Sequence, residues 1–419
     1  MRQTVSLAEE IKKQLPTGLT DFMRRAGEIA SRKGERLYLV GGVVRDLLLH
    51  RPNFDLDLVV DGDAIRLARE LADAAQVKLT THSRFNTAKI RFNEWNVDFA
   101  TARSETYERP GALPKVMRGT IAADLYRRDF TVNAMAVEVT AGSYGELIDI
   151  FGGVSDLKGK LVRILHEKSF IDDATRMWRA VRYEQRLGFL IEPSTERILE
   201  RSIPMLDTIS GDRIRHELEL VLKERRPEKA LTRAWELGIL AKLHPSLKAD
   251  TWLASKFRRA RAPSTGGNRT EVCLALLCYR LTEEEAAQLI TYLNPTRRVA
   301  EVIANTLQLK SRLDELAAAR LPRSYIYSLL HEYPEIAITV NRISTENSMV
   351  AKRLNLYLRT LRHVRPSLSG DNLIETGIPA GPRIKEILHM LLEARLDGKI
   401  KTREEEMRFA KDWGRQERV

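Results

Sequence analysis

Two carboxylates separated by one residue, Asp55 and Asp57, stand in the segment Phe54-Asp-Leu-Asp-Leu-Val59. In a strand, side chains alternate between faces, so Asp55 and Asp57 project together while Phe54, Leu56 and Leu58 project into a core. Two convergent carboxylates are hard oxygen ligands that suit Mg²⁺. A pair of such ions can activate a hydroxyl and stabilise a departing pyrophosphate. Alone, Asp-x-Asp is a weak signal, because an edge strand with a polar outer face presents the same pattern. Gly41-Gly42 lies thirteen residues upstream, where a β-type run, Leu37 to Val40, gives way to a short amphipathic helix through Val44 to Leu49. Glycines at such a turn let backbone N–H groups approach a polyphosphate, and a helix N-terminus favours anions. Metal and phosphate binding would then share one cleft. The G-x-G-x-x-G spacing of a Rossmann fingerprint is absent. Arg45 and Asp46, read alone, also fit an exposed helical turn.

The elements that must position these groups follow from periodicity. Residues 1 to about 33 read as helical. Short β-type runs follow at 37–40, 54–60, 77–81, 87–92 and 96–101, with a helix from Asp63 to Ala75 that places Ile65, Leu67, Ala68, Leu71 and Ala72 on one face. The N-terminal third is therefore α/β, with a sheet of about five strands. Beyond about residue 155 strand signals almost vanish, and helical periods punctuated by Pro and Gly continue to the C-terminus. Boundaries near 155, 225 and 365 divide the chain into segments 1–155, 156–225, 226–365 and 366–419. Arg258 to Arg269 (RRARAPSTGGNR) is basic and Gly/Pro-rich and reads as a loop, either a contact for phosphates or a solvated connector. Glu108 to Lys115 (ERPGALPK) reads as a second loop.

A chain of 419 residues, 43% hydrophobic and 30% charged, is multidomain and globular. Its 69 Lys and Arg against 57 Asp and Glu give a formal charge of +12, which favours polyanionic partners, nucleic acid first. Cys273 and Cys278 stand five apart in an apolar run, a spacing that suits neither a zinc knuckle nor a C-x-x-C redox pair. They read as buried thiols in a reducing cytoplasm. The charged first thirty residues lack a signal core, and no stretch approaches about 18 apolar residues, so neither secretion nor membrane spanning is expected.

A resemblance then becomes specific. Leu39-Val-Gly-Gly-Val-Val-Arg-Asp-Leu-Leu48 followed by Asn53-Phe-Asp-Leu-Asp-Leu-Val59 resembles the first motif of class II tRNA nucleotidyltransferases and bacterial poly(A) polymerases. Arg127-Arg-Asp-Phe-Thr-Val-Asn-Ala134 resembles the family's R-R-D-x-x-x-N-A, and Asp149-Ile-Phe-Gly-Gly153 its D-P-F-G-G turn, with Ile150 for proline. The run Asp172-Asp-Ala-Thr-Arg-Met-Trp-Arg-Ala-Val-Arg182 resembles its E-D-x-x-R helix, and Asp212-Arg-Ile-Arg-His-Glu-Leu218 its last motif, each with Asp where Glu is usual. Gly377 to Ile384 and Leu391 to Gly398 are similar to C-terminal stretches of the family.

The resemblance implies a polymerase-β-like nucleotidyltransferase head, residues 1–155, followed by an all-α neck (156–225), body (226–365) and tRNA-binding tail (366–419). It implies Mg²⁺ as cofactor, tRNA, CTP and ATP as partners, and addition of C and A, C alone or A alone to the tRNA 3′ end. Asp55 and Asp57 are the expected metal ligands and catalytic residues, with Asp98 as a third carboxylate. Gly41, Gly42, Arg45, Arg128, Asp129, Asn133, Asp173, Arg176, Arg179 and Arg182 are the expected nucleotide-binding set. Asp173, Arg176 and Arg179 recur every three residues and so share a helix face, with Met177, Val181 and Leu187 toward the core. Asp173 and Arg176 would accept an exocyclic amino group and donate to a ring acceptor, the pattern of cytosine and adenine but not of uracil or guanine. The alternative is an exposed ion pair. The rival functions are a poly(A) polymerase and a non-catalytic RNA-binding protein. No HD-type phosphohydrolase domain is apparent, since none of the eight histidines precedes an aspartate.

Overall fold

The structure, a computed structural model, describes residues 5–262 and 268–416. The N-terminal helical stretch is two helices, α1 (Ala8–Gln14) and α2 (Thr17–Arg32), separated at Leu15-Pro16, because the residue before a proline is driven out of helical geometry. β1 (Arg36–Val40) runs into α3 (Gly42–Leu48). Next come β2 (Leu56–Asp61), α4 (Ala64–Ala75), β3 (Leu79–His82), β4 (Thr87–Phe92) and β5 (Trp95–Thr101). Asp63 caps α4, its side chain accepting from Arg66 N at 3.0 Å.

The main sheet has seven strands rather than five, in the order β3-β4-β5-β2-β1-β8-β9. The two additions, β8 (Ala136–Glu138) and β9 (Leu147–Ile148), are too short to show a period of two. A separate hairpin, β6 (Arg103–Thr106) with β7 (Lys115–Arg118), carries the Glu108 to Lys115 loop at its tip. β2 and β5 are parallel, and the other ladders of the main sheet are antiparallel. Leu58 and Phe99 are 1% exposed, and Phe99 lies edge-on to Phe22 of α2, with ring centroids 6.4 Å apart. Leu56 also is buried, but Phe54 precedes β2 and is 39% exposed; it does not enter the core, because the alternation starts only at Leu56.

After α5 (Ile121–Tyr126), the chain forms α6 (Gly153–Gly159), a two-residue parallel pair β10 (Leu161–Val162) and β11 (Leu190–Ile191), and helices α7 (Ser169–Asp172), α8 (Thr175–Leu187), α9 (Pro193–Ser202) and α10 (Gly211–Lys223). Asp149 starts α6 by accepting from Gly153 N and Val154 N, while Ile150 of that turn is exposed. The remainder is helical: α11 (Pro227–Glu236), α12 (Thr251–Ala260), α13 (Arg269–Cys278), α14 (Glu283–Leu293), α15 (Arg297–Ser311), α16 (Arg323–Leu330), α17 (Glu335–Ser344), α18 (Ser348–Arg359), α19 (Gly370–Glu375), α20 (Pro382–Leu396) and α21 (Arg403–Gln416).

The chain divides into two compact units, Met1–Glu217 with Glu236–Lys242 and Leu218–Trp235 with Leu243–Val419. Apolar cores of the second include one around Leu309, Ile338 and Leu354 and one around Leu373, Leu391 and Ala410. Of the basic loop expected from Arg258 to Arg269, Arg258 to Ala260 complete α12 and Arg269 opens α13; residues 263–267 lie outside the described residues. Cys273 and Cys278 are buried, and burial pushes their thiols up to about 11 and about 12. Among the described residues no helix is long and apolar enough to cross a membrane.

Candidate active site

The site begins at the end of β1. Gly41 has φ +76° and ψ −136°, a backbone conformation L side chains rarely adopt. A Cβ there would lie 2.9 Å from Arg128 Nη1, so a side chain would push that head group aside, while Asp57 Oδ2 at 3.7 Å would stay in ordinary contact. Arg45 and Asp46 of α3 are 4% and 8% exposed, which corrects the exposed-turn alternative. Arg45 donates from Nε and Nη2 to the two Asp46 oxygens at 2.9 and 2.8 Å, and from Nη1 to Asn133 Oδ1 at 2.7 Å. Its planar fork is thus committed to bracing the turn.

Asp57 on β2 and Asp98 on β5 are Cα partners in the parallel ladder, and Lys89 on β4 is the antiparallel partner of Asp98. One transverse row therefore reads Asp57, Asp98, Lys89, with Lys89 Nζ 3.1 Å from Asp98 Oδ2. Asp55 directly precedes β2 and is exposed, as is Asp57. A cavity of about 320 Å³ is lined by Asp57, Asp98, Thr87, Arg103, Arg127 and Arg128 among others. The Asp57 carboxyl is pushed above the usual carboxylate range, first by lost hydration in this crowded spot and then, against Arg128, by the like charges of Asp98 and Asp55. Because one side of Asp57 stays open to water, the hydration loss is partial.

Among the described residues no three Asp, Glu, His or Cys side chains already form a closed ligand cluster. The oxygen-only donors, the mutual repulsion of the carboxylates and their exposure nevertheless fit a hard divalent cation that keeps several water ligands, as Mg²⁺ does.

Arg127 and Arg128 also line a second cavity of about 480 Å³, together with Asp129, Asp173, Arg176 and Arg179 among others. Asp124, fully buried on α5, holds both arginines: Oδ1 accepts from Arg127 Nη2 at 2.7 Å and Oδ2 from Arg128 Nη2 at 3.0 Å. Asp129 accepts from Phe130 N and Asn133 Nδ2 on Oδ1, and from Arg179 Nε and Nη2 at 2.9 and 2.6 Å on Oδ2. Burial alone would raise its carboxyl, but Arg179 and Asn133 hold it below the ordinary range. Arg45, Asn133, Asp129 and Arg179 thus form one hydrogen-bonded chain from α3 to α8. Arg179 and Arg182 both ion-pair with the buried Glu217, at 3.5 and 3.4 Å. Gly42, Arg45, Asn133 and Arg182 do not line this second cavity.

The helix expected from Asp172 is interrupted. α7 ends at Asp172, Asp173 is extended with φ −144° and ψ 98°, and α8 starts at Thr175. Asp173 is therefore not on the helix face that carries Arg176 and Arg179. Aspartate competes for local backbone donors and so favours such breaks. Here Asp173 Oδ1 accepts from Thr175 N at 3.0 Å, Thr175 Oγ1 at 2.6 Å and Arg213 Nη2 at 2.9 Å. Arg176 is 5% exposed and donates to Ser169 Oγ and to Arg127 O, both at 2.7 Å. It is not a surface ion pair with Asp173, although both line the same cavity. Met177, Val181 and Leu187 are buried, as their spacing requires.

Several residues that build the site escaped the sequence reading. Asp124 precedes Arg127 and Arg128 by three and four residues, a helical ion-pair spacing that was visible. Arg213, His216 and Glu217 share one face of α10 within a motif already recognised. Glu105 and Tyr107 reach the cavity from the β6–β7 hairpin, and no local pattern marks them.

The family described as poly A polymerase head domain matches residues 37–163, and the one described as a probable RNA and SrmB-binding site of polymerase A matches residues 188–251. An A-adding tRNA nucleotidyltransferase of Geobacter sulfurreducens is 37% identical over 96% of this chain, although the chain spans only 48% of that relative's length. An A-adding tRNA nucleotidyltransferase of Halalkalibacterium halodurans is 32% identical, with 94% of this chain and 92% of the relative covered. The solved apo form II of a CCA-adding enzyme superposes with a TM-score of 0.84 at 31% identity, covering 97% of this chain and 99% of the other. With a relative matched nearly end to end, the chain belongs to the tRNA nucleotidyltransferase family.

Proposed function

We propose that the protein transfers AMP from ATP to the 3′ end of a tRNA that already ends in CC, releasing pyrophosphate. The observation that carries nucleotidyl transfer is the row of Asp57 and Asp98 in a cavity whose Arg127 and Arg128 also line the arginine-rich second cavity. Restriction to A follows the A-adding relatives in Geobacter and Halalkalibacterium; the CCA-adding structural neighbour supports the second reading, in which C is added as well. A poly(A) polymerase is not favoured, because these relatives are named for tRNA.

Asp55 and Asp57 would hold Mg²⁺, with Asp98 beside them; the ion supplies Lewis-acid stabilisation of charge on the reacting and leaving oxygens. Arg127, Arg128 and Arg179 present guanidinium groups to the phosphates. The Asp173 carboxylate accepts from the adenine amino group, and Arg176 donates to the ring. Asp129 and Asn133 keep Arg179 and Arg45 in place. In this reading residues 1–155 are the head, 156–225 the base-selecting neck, 226–365 the body and 366–419 the tail, and the protein works in the cytoplasm with tRNA. Incubation of a CC-ending tRNA with each of the four triphosphates, resolved at one nucleotide, tests it: one AMP from ATP supports the proposal, and no addition from any triphosphate overturns it.

A further inference from the structure

The helical unit contains a cavity of about 600 Å³ that the reaction does not use. Three elements wall it: Arg259 at the end of α12, Arg342 on α17, and Asn347 to Asn355, which take in the start of α18 and Lys352. Arg259 donates from Nη1 to Ile343 O at 3.1 Å, which fixes its head group beside α17. Arg342 Nε is buried and has no hydrogen-bond acceptor among the described residues. Its guanidinium is held below the usual range by burial and by the like charge of Arg359. The acid that lines the cavity, Glu346, ion-pairs with Lys256, itself only 2% exposed. Its charge is therefore already balanced, and Arg259, Arg342 and Lys352 leave the cavity with uncompensated positive charge.

We propose that this cavity binds a phosphate of the tRNA backbone, anchoring the RNA on the helical unit. The inference rests on the proposed RNA substrate. Clustered cations with an unmet buried N–H call for an oxyanion, and phosphate oxygens accept from arginine forks. A free nucleotide is disfavoured as occupant because no aromatic side chain among the described residues lines the cavity, so a base would find nothing to stack on. A backbone phosphodiester needs only the charge and the donors, and the formal charge of +12 suits that partner.

The test measures affinity of the full chain for a CC-ending tRNA across a salt series, for wild type, Lys352→Glu and Arg342→Gln. Lys352 is exposed, so its replacement leaves the fold intact even if Arg342→Gln does not. Each lost phosphate contact should lower the slope of log K against log salt by about one. The KM for tRNA should rise, while single-turnover AMP addition at saturating tRNA stays at the wild-type rate. An unchanged salt slope in Lys352→Glu would overturn the proposal. So would unchanged tRNA affinity in that variant together with weakened binding of inorganic phosphate or ATP, which would make the occupant a free anion. A wild-type chain that binds tRNA but adds nothing would sink the proposed reaction and leave this test readable.

Discussion

Asp57 and Asp98 stand side by side as register partners on adjacent parallel strands, at the level where Lys89 pairs with Asp98. Asp57→Asn should therefore abolish nucleotide addition without loss of fold, since Asp57 is exposed. A variant retaining more than about a tenth of wild-type turnover, under about 1.4 kcal/mol in barrier, would contradict the assignment. The pH dependence has a definite sign. A cation binds the ionised carboxylate, and the Asp57 carboxyl sits above its ordinary value. At low Mg²⁺ the acid limb of kcat/KM should lie above about pH 3.9, and rising Mg²⁺ should move it down.

Base selection should depend on Asp173 in a graded way. Asp173→Asn keeps an Oδ1 acceptor for Thr175 and Arg213 but can replace the other carboxylate oxygen with an amide donor, whereas Asp173→Ala removes both. Both should erode discrimination against GTP and UTP, which a hydrogen-bonding site can raise to roughly 10⁴-fold. Arg176→Ala should do the same at a cost in stability, because its guanidinium also holds Ser169 and Arg127 O. Single-turnover incorporation of all four nucleotides separates selectivity from rate. Undiminished rejection of GTP and UTP in all three variants would remove these residues from base reading.

Asp124→Asn should destabilise the first unit by about 3 kcal/mol, since it leaves part-buried Arg128 without its carboxylate and Arg127 with that of Glu105 alone. Asp124 has a lowered carboxyl: burial opposes ionisation, but Arg128 and Arg127 outweigh it. Its contribution is therefore full above the unfolded value near pH 3.9 and is lost as pH falls through the lower folded value. Urea midpoints measured against pH should show wild type and variant converging in acid. Equal midpoints at pH 7 would contradict this bracing role.

Much of the head was legible because its signals are local. The runs at 37–40, 87–92 and 96–101 are β-rich and bounded by turns, and the motifs keep their spacing. What escaped depended on distant partners or on local competition. Arg45 fits an exposed turn until Asn133, 88 residues away, accepts its Nη1. Asp173 was placed on a helix face by spacing alone, but an aspartate that accepts from Thr175 N and Oγ1 ends one helix before the next begins. Phe54 followed the alternation in type, yet the strand starts only at Leu56.

The most direct measurement offers tRNAs ending before CCA, after C and after CC to the purified chain, with ATP and CTP supplied separately and products resolved at one-nucleotide resolution. A single AMP on the CC-ending tRNA and no CMP on any of the three is expected. Incorporation of CMP would contradict restriction to A and leave a CCA-adding enzyme. A long A tail, or no addition to any of the three, would contradict tRNA 3′-end completion itself.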